Sequence, residues 1–397
     1  MSAKQRVVIA GGGFAALEAV LGLRTLAGQR VQIDLVTPGR ELAYRPLSVV
    51  EAFGFGEAPR FDLGEIADDQ DVRLHVDSIE SVDTEARVAR TRSGEELAYD
   101  SLLIATGARS ERAVPGAFTF RGPEDASELR SLLHRIEVGE FGVVVFAVPA
   151  GVAWPLPLYE IALMTAARIA GSDGGARLTF VTSEQAPLGI FGIEASRAVE
   201  SLLRARGMEV RASSAPMAVE GGNLTVVPEG SVPADLVIAL PRLRGNPVPG
   251  IPQNRDGFIP VDRDCRVQGI QSVYAAGDAT SFPIKQGGIA TQQAAAVARE
   301  IAAAAGAPVP SEQFRPVLRG LLLTGEGARF MRSEVSGGQG DEPEISDHML
   351  WWPQTKVAGQ YVSQYLSKKI EPIQPKAPLA ADAIPIEVDL TEALTDP

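Results

Sequence analysis

From residue 6 the chain opens with RVVIA (6–10), a short apolar run of the kind a strand buried on both faces of a parallel sheet requires. It stops at Gly11-Gly12-Gly13, after which Phe14 to Leu26 place apolar residues at helical spacing. Gly28 then supplies a helix C-cap, and VQIDLV (31–36) reads as a second strand. The order strand, glycine turn, helix, strand recurs further along: FGVVVFA (141–147), an apolar helix over 158–170, and a strand at 178–181. Two more strands end in small-residue turns, one at SLLIATGA (101–108) and one at VYAAGD (273–278); an alanine-rich helix over 291–305 follows the second. The fold class predicted is α/β, with two Rossmann-like units and a C-terminal α+β region.

The first unit has the spacing of a dinucleotide cradle, Gly11-x-Gly13-x-x-Ala16. Gly11 permits the tight turn, Gly13 lets backbone approach a pyrophosphate, and Ala16 is small enough for close contact between helix and strand. Gly12, Phe14 and Ala15 complete the turn, and helix N–H groups there favour negative charge. The second strand of such a unit usually ends in an acid that holds a ribose hydroxyl; here it ends in Val36-Thr37-Pro38, so Thr37 offers a neutral contact.

Composition narrows the chemistry. At 397 residues the chain has room for two or three domains of roughly 150 residues. A net charge of −13, with no basic run, argues against nucleic acid as a partner. The single cysteine, Cys265, excludes a cysteine pair within one chain, and three scattered histidines (His75, His134, His348) point to no metal centre. The N-terminus shows no apolar leader and no apolar stretch reaches about 20 residues, so a cytoplasmic protein is expected.

Tyr99–Ala108 and Val273–Asp278 resemble the YDxLLIATGA and vyAaGD segments of two-dinucleotide-domain flavoproteins, the pyridine nucleotide–disulfide oxidoreductase superfamily. The resemblance spans roughly residues 5–305 with the motifs in order. It implies FAD in the first cradle, with Ala105, Thr106, Gly107, Gly277 and Asp278 among the binding residues. Tyr44-Arg45-Pro46-Leu47 looks like the loop that the branch containing sulfide:quinone reductases, flavocytochrome c sulfide dehydrogenase flavoproteins and type II NADH dehydrogenases sets beside the flavin ring. In the same branch, the helix after Lys285-Gln286 points at the pyrimidine edge of the flavin, where Lys285 would favour the charge of reduction. One helix-dipole interaction is worth roughly 0.3–1 kcal/mol. About 1.4 kcal/mol corresponds to about 30 mV for a two-electron couple, so the helix assists the potential without setting it.

The second unit has lost what its relatives use for nicotinamide dinucleotides. Its turn reads Val148-Pro149-Ala150-Gly151-Val152-Ala153-Trp154-Pro155, with one glycine, prolines that remove N–H donors and a bulky tryptophan. Aligned with the sulfide:quinone reductase pattern, Trp154 falls where a redox cysteine belongs, and Cys265 lies at no matching motif, so cysteine-dependent sulfide oxidation is not expected. Glu160, by resemblance held close to the flavin, is a candidate proton relay; the plainer alternative is a helix glutamate in solvent or paired with Arg168.

The expected domains are 1–110 with 270–312 (FAD-binding), 111–269 (second Rossmann-like), 313–370 (flavin-covering, dimer or quinone region) and 371–397 (mobile tail). Trp351, Trp352, Tyr361 and Tyr365 read either as aromatic core or homodimer interface, or as a shallow quinone or peripheral membrane contact. The resulting expectation is an FAD-dependent oxidoreductase passing electrons from a small-molecule donor to a quinone or similar acceptor, with no metal. NAD(P)H dehydrogenase activity and a flavoprotein carrier subunit are the alternatives.

Overall fold

The computed structural model describes residues 4–172, 175–310, 314–325, 330–332, 344–346, 356–369 and 383–389. Two parallel five-stranded sheets organise it. The first runs in the order Val273–Ala275, Ser101–Ile104, Gln5–Ala10, Val31–Thr37, Arg73–Val76. Its apolar strands are buried on both faces, as the continuous hydrophobic runs require. Helices Phe14–Ala27 and Gly287–Ala304 pack on it through Val20, Leu23 and Val297, with Ala16, Ala19, Ala294 and Ala298 small enough to let the two helices approach closely. Gly28 closes the first helix at φ 54°, its N–H bonding Leu23 O.

The second sheet runs in the order Phe118–Thr119, Leu236–Ala239, Val143–Val148, Arg177–Thr182, Glu209–Arg211, again parallel throughout. Helix Leu156–Ile169 covers it with Leu158, Tyr159, Ile161, Ala162 and Leu163. In each unit a three-stranded antiparallel meander accompanies the parallel sheet: Ile79–Asp83, Val88–Thr91 and Glu96–Ala98 in the first, Ala215–Glu220, Asn223–Val227 and Gly230–Pro233 in the second. Strands Ala108–Glu111 and Arg242–Gly245, where the chain passes between the units, pair antiparallel from Ala108↔Gly245 to Glu111↔Arg242.

Beyond residue 313, Val317–Leu323 pairs antiparallel with Ala383–Asp389. The span 371–397, expected as a mobile tail, therefore contributes a strand, whose Ile384, Ile386 and Val388 give the alternation that a strand needs. Helix Val362–Lys369 lies against the first unit, with Val357, Val362 and Leu366 buried among Leu17, Leu21, Leu42 and Phe61. Trp351, Trp352 and the GGQGDE run (337–342), which its glycines and acids lead one to expect as an exposed loop, fall outside the described residues. Among the described residues no helix is long and apolar enough to cross a membrane, and no His/Cys/Asp/Glu group is arranged to hold a metal.

Candidate functional site

The glycine turn is built around two close approaches. Gly11, at φ +130°, donates its N–H to Val36 O at 2.8 Å, and a Cβ there would stand 2.1 Å from Ala105 O. A Cβ on Gly12 would meet Thr37 Oγ1 at 2.5 Å, whereas one on Gly13 meets nothing within 4 Å. Gly13 thus faces open space at the start of a 14-residue helix that has no side-chain cap. The first-turn N–H groups of Phe14, Ala15 and Ala16 have no acceptor among the described residues, since the first intrahelical bond is Leu17 N–H to Gly13 O. Free amides at a helix N-terminus of this kind can hold an anion through main chain. Nearby, Thr106 Oγ1 is buried without a hydrogen-bond partner. Gly277, at φ +73°, would bring a Cβ within 3.3 Å of Ala15 Cβ, so the Gly277-Asp278 turn abuts the cradle.

From Asp278 the site continues into a cavity of about 270 Å³ at the carboxyl ends of both sheets. Val152 and Trp154 follow one strand, Leu240 another and Asp278 a third, with Arg45, Pro46, Glu160, Lys285, Gln286 and Lys356 also on the walls. The Asp278 carboxylate accepts no hydrogen bond among the described residues; burial raises its pKa, and Lys285 and Arg45 oppose that shift. Gly11–Ala16, Thr37, Ala105–Gly107 and Gly277 thus cluster at one end and Arg45, Pro46, Glu160, Asp278, Lys285 and Gln286 at the other.

Two of these side chains also make bonds to the surrounding main chain. Lys285 Nζ donates to Thr280 O and stands 4.0 Å above the Phe258 ring; burial lowers its pKa to about 8, against the pull of Asp278. Gln286 caps helix Gly287–Ala304, accepting Ile289 N–H at 2.9 Å and donating to Arg319 O at 3.0 Å.

Glu160 has the sharpest environment. Its side chain is 1% exposed and accepts Lys356 Nζ at 2.6 and 2.7 Å and Leu323 N–H at 2.9 Å. Burial raises its pKa and Lys356 opposes the shift. The alternative pairing with Arg168 is not formed: Arg168 bonds Glu137 at 3.0 Å. Lys356 was invisible as a partner because 196 residues separate the pair. Arg121 and Phe120 on the cavity wall were likewise unmarked by any motif.

An open glycine turn with unclaimed amides, an orphaned threonine hydroxyl and a carboxylate with no hydrogen-bond donor, all at the carboxyl ends of the first sheet, fit a dinucleotide-binding flavoprotein. The chain belongs to the pyridine nucleotide-disulphide oxidoreductase family, whose model matches residues 5–298. It is an FAD-dependent oxidoreductase. Among curated relatives, a sulfide-quinone reductase of Aquifex aeolicus (strain VF5) is 26% identical over 299 residues, covering 70% of this chain and 69% of the relative. An NADH dehydrogenase-like protein of Mycobacterium tuberculosis (strain CDC 1551 / Oshkosh) is 26% identical over 289 residues, covering 69% and 72%. Among solved structures, the sulfide:quinone oxidoreductase from Aquifex aeolicus superposes with a TM-score of 0.75 at 23% identity, covering 87% of each chain. A ferredoxin reductase from Rhodopseudomonas palustris gives a TM-score of 0.62 at 20% identity, covering 83% of this chain and 85% of that one.

Proposed function

We propose that this protein takes an electron pair from a small-molecule donor and passes it to a quinone or a similar small acceptor, with no cysteine relay. The observation that carries the reading is the buried Glu160–Lys356 pair on the wall of a largely apolar cavity. Bound FAD supplies a ring that accepts and releases an electron pair. In this reading Phe14, Ala15 and Ala16 N–H groups and Gly13 bind its pyrophosphate, Thr37 and Thr106 supply hydroxyl contacts, and Asp278 accepts from the ribityl hydroxyls. Arg45 and Pro46, on the cavity wall, would stand beside the ring. The Glu160 carboxyl and Lys356 ammonium hold protons where an acceptor needs them, while Val49, Phe120, Leu156 and Leu240 exclude water.

Cys265 supports the absence of a thiol relay: it is 1% exposed, sits in the hydrophobic core of the first unit, and burial pushes its pKa up, away from the reactive thiolate. Replacing Glu160 by Gln is expected to keep FAD bound but slow reoxidation of the photoreduced protein by a soluble quinone roughly 10²-fold. An unchanged stopped-flow rate removes Glu160 from the mechanism.

The state of the second cradle supports a donor other than NAD(P)H. Pro149, Pro155 and Pro157 carry no N–H, and Leu158 N–H is spent on Pro155 O at 3.0 Å. Arg242 Nε donates to Ala150 O at 2.7 Å. Glu184, the acid nearest the strand end, accepts Tyr159 Oη–H at 2.5 Å and Thr182 Oγ1–H at 2.8 Å, so its carboxylate is already claimed. Anaerobic mixing with NADH is expected to leave the flavin band unbleached over seconds. Rapid bleaching establishes the type II NADH dehydrogenase reading instead.

A further inference from the structure

Glu18 lies one turn beyond the cradle, on helix Phe14–Ala27, and is fully buried. A charged carboxylate at 0% exposure demands partners. It finds them in a segment more than 340 positions away: Tyr361 N–H donates to Oε1 at 3.0 Å and Oε2 at 3.2 Å, and Val362 N–H donates to Oε2 at 2.7 Å. These are the amides at the start of helix Val362–Lys369. Gly359 allows the approach, because a Cβ there would stand 2.7 Å from Glu18 Oε2 and 2.5 Å from Val362 Cγ1. The segment's upstream end is Lys356, whose ammonium holds Glu160. Between the two points, Val357 N–H donates to Tyr44 Oη at 3.0 Å, and Ser363 Oγ accepts Gly359 N–H while donating to Val357 O.

We propose that Glu18 is a positioning residue for the electron-transfer site: it clamps the segment Lys356–Lys369 onto the first unit and thereby sets the Lys356 ammonium on Glu160. The inference rests on the role given above to the Glu160–Lys356 pair. Its geometry has no other evident purpose in cofactor binding, since the carboxylate points at the segment's amides and not into the cradle. Arg299 also donates to Gln360 Oε1 at 2.8 Å within the segment, and Tyr365 Oη–H and Lys369 meet Asp69 at the exposed far end of the helix.

The clamp is also linked to pH. Burial raises the Glu18 pKa to about 7, partly offset by the amides of Val362, Tyr361 and Gln360 and by Arg299, the charged group that acts on it from helix Gly287–Ala304. A value raised in the docked state means that docking is favoured by proton uptake. The contribution is fully present below the ordinary carboxylate range and is lost as pH rises through about 7. Glu18→Gln keeps an acceptor for the amides and removes the titration.

The test uses the full-length holoprotein and two readouts. In Glu18→Ala, amide hydrogen exchange across residues 357–366 is expected to accelerate roughly tenfold, the equilibrium worth of one or two buried hydrogen bonds. Gly359→Ala, which obstructs the clamp from the other side, is expected to do the same. Exchange in the wild type, corrected for intrinsic rates, loses protection between pH 5 and pH 8, whereas Glu18→Gln shows a flat profile. Unaltered exchange in both alanine variants overturns the clamp. For coupling to the site, quinone reoxidation of Glu18→Ala is expected to slow, and the Glu18→Ala/Lys356→Met double variant to be no slower than Lys356→Met alone. Additive losses, with exchange accelerated, overturn the positioning role. If Lys356→Met itself is as fast as wild type, the reading of the Glu160–Lys356 pair has failed while the exchange data still stand for the clamp.

Discussion

Gly11→Ala is expected to yield a colourless and less stable protein. Alanine is strained at φ +130°, and the added methyl would lie 2.1 Å from Ala105 O, a main-chain atom that cannot swing aside. Ala105 is tied through its own N–H to Ala10 O at 2.7 Å, so relief must displace two adjacent strands of the first sheet. Strain and overpacking together cost roughly 2–5 kcal/mol. The contrasting variant is Gly13→Ala, whose methyl touches no protein atom within 4 Å. It is expected to leave the apoprotein's unfolding midpoint within about 0.5–1 kcal/mol of wild type, as befits Gly→Ala at an unstrained position. It should nevertheless lose FAD, because the methyl occupies the space above the helix N-terminus. Absorbance near the flavin maximum and denaturant unfolding of both apoproteins separate the effects. A yellow Gly13→Ala protein with wild-type affinity would place the pyrophosphate elsewhere.

Lys356→Met is expected to produce the second large effect, and one that grows with pH. Removing one member of a buried pair leaves an uncompensated charge, typically about 3–5 kcal/mol. Glu160 escapes part of that cost by remaining protonated, since burial already raises its pKa and the chief opposing influence would be gone. A carboxyl whose folded value exceeds its unfolded one stabilises the fold below the unfolded value and ceases to do so as pH rises through the folded value. The variant should therefore lie closer to wild type in acid than in alkaline solution, the deficit growing as pH rises. Adding Glu160→Gln to Lys356→Met removes the buried charge and is expected to restore most of the loss at high pH. A pH-independent deficit would show that Lys356 acts through packing and not through charge.

Local patterns made the first unit readable, because every part of that cradle lies within a few dozen residues: RVVIA, Gly11–Ala16, the helix and Gly28 all take the places that spacing assigns them. The second unit was readable for the same reason, down to the prolines that strip its turn of donors. What could not be read was long-range pairing. Glu160 gave no sign that its partner would be Lys356 and not Arg168, since both are equally a lysine or arginine in a helix-rich surrounding, and only the docked C-terminal segment decides between them. Glu18 stands in no motif, yet it is buried by chain that arrives from the other end of the sequence. The strand Ala383–Asp389 was hidden by its flanks, where proline and acids suggested a tail. Lys285 and Gln286 were found by motif, but their hydrogen bonds to Thr280 O and Ile289 N–H depend on loop conformation, which a motif does not specify.

The paired strands Ala108–Glu111 and Arg242–Gly245 bear on how the two halves can move. Two separate tethers would permit swivelling, whereas tethers laced together rung by rung resist torsion and leave bending as the soft coordinate. Ala108, Ser110 and Leu243 of this ribbon line the cavity wall itself. Bending along it would change the width of that cavity, whose remaining walls come from both units.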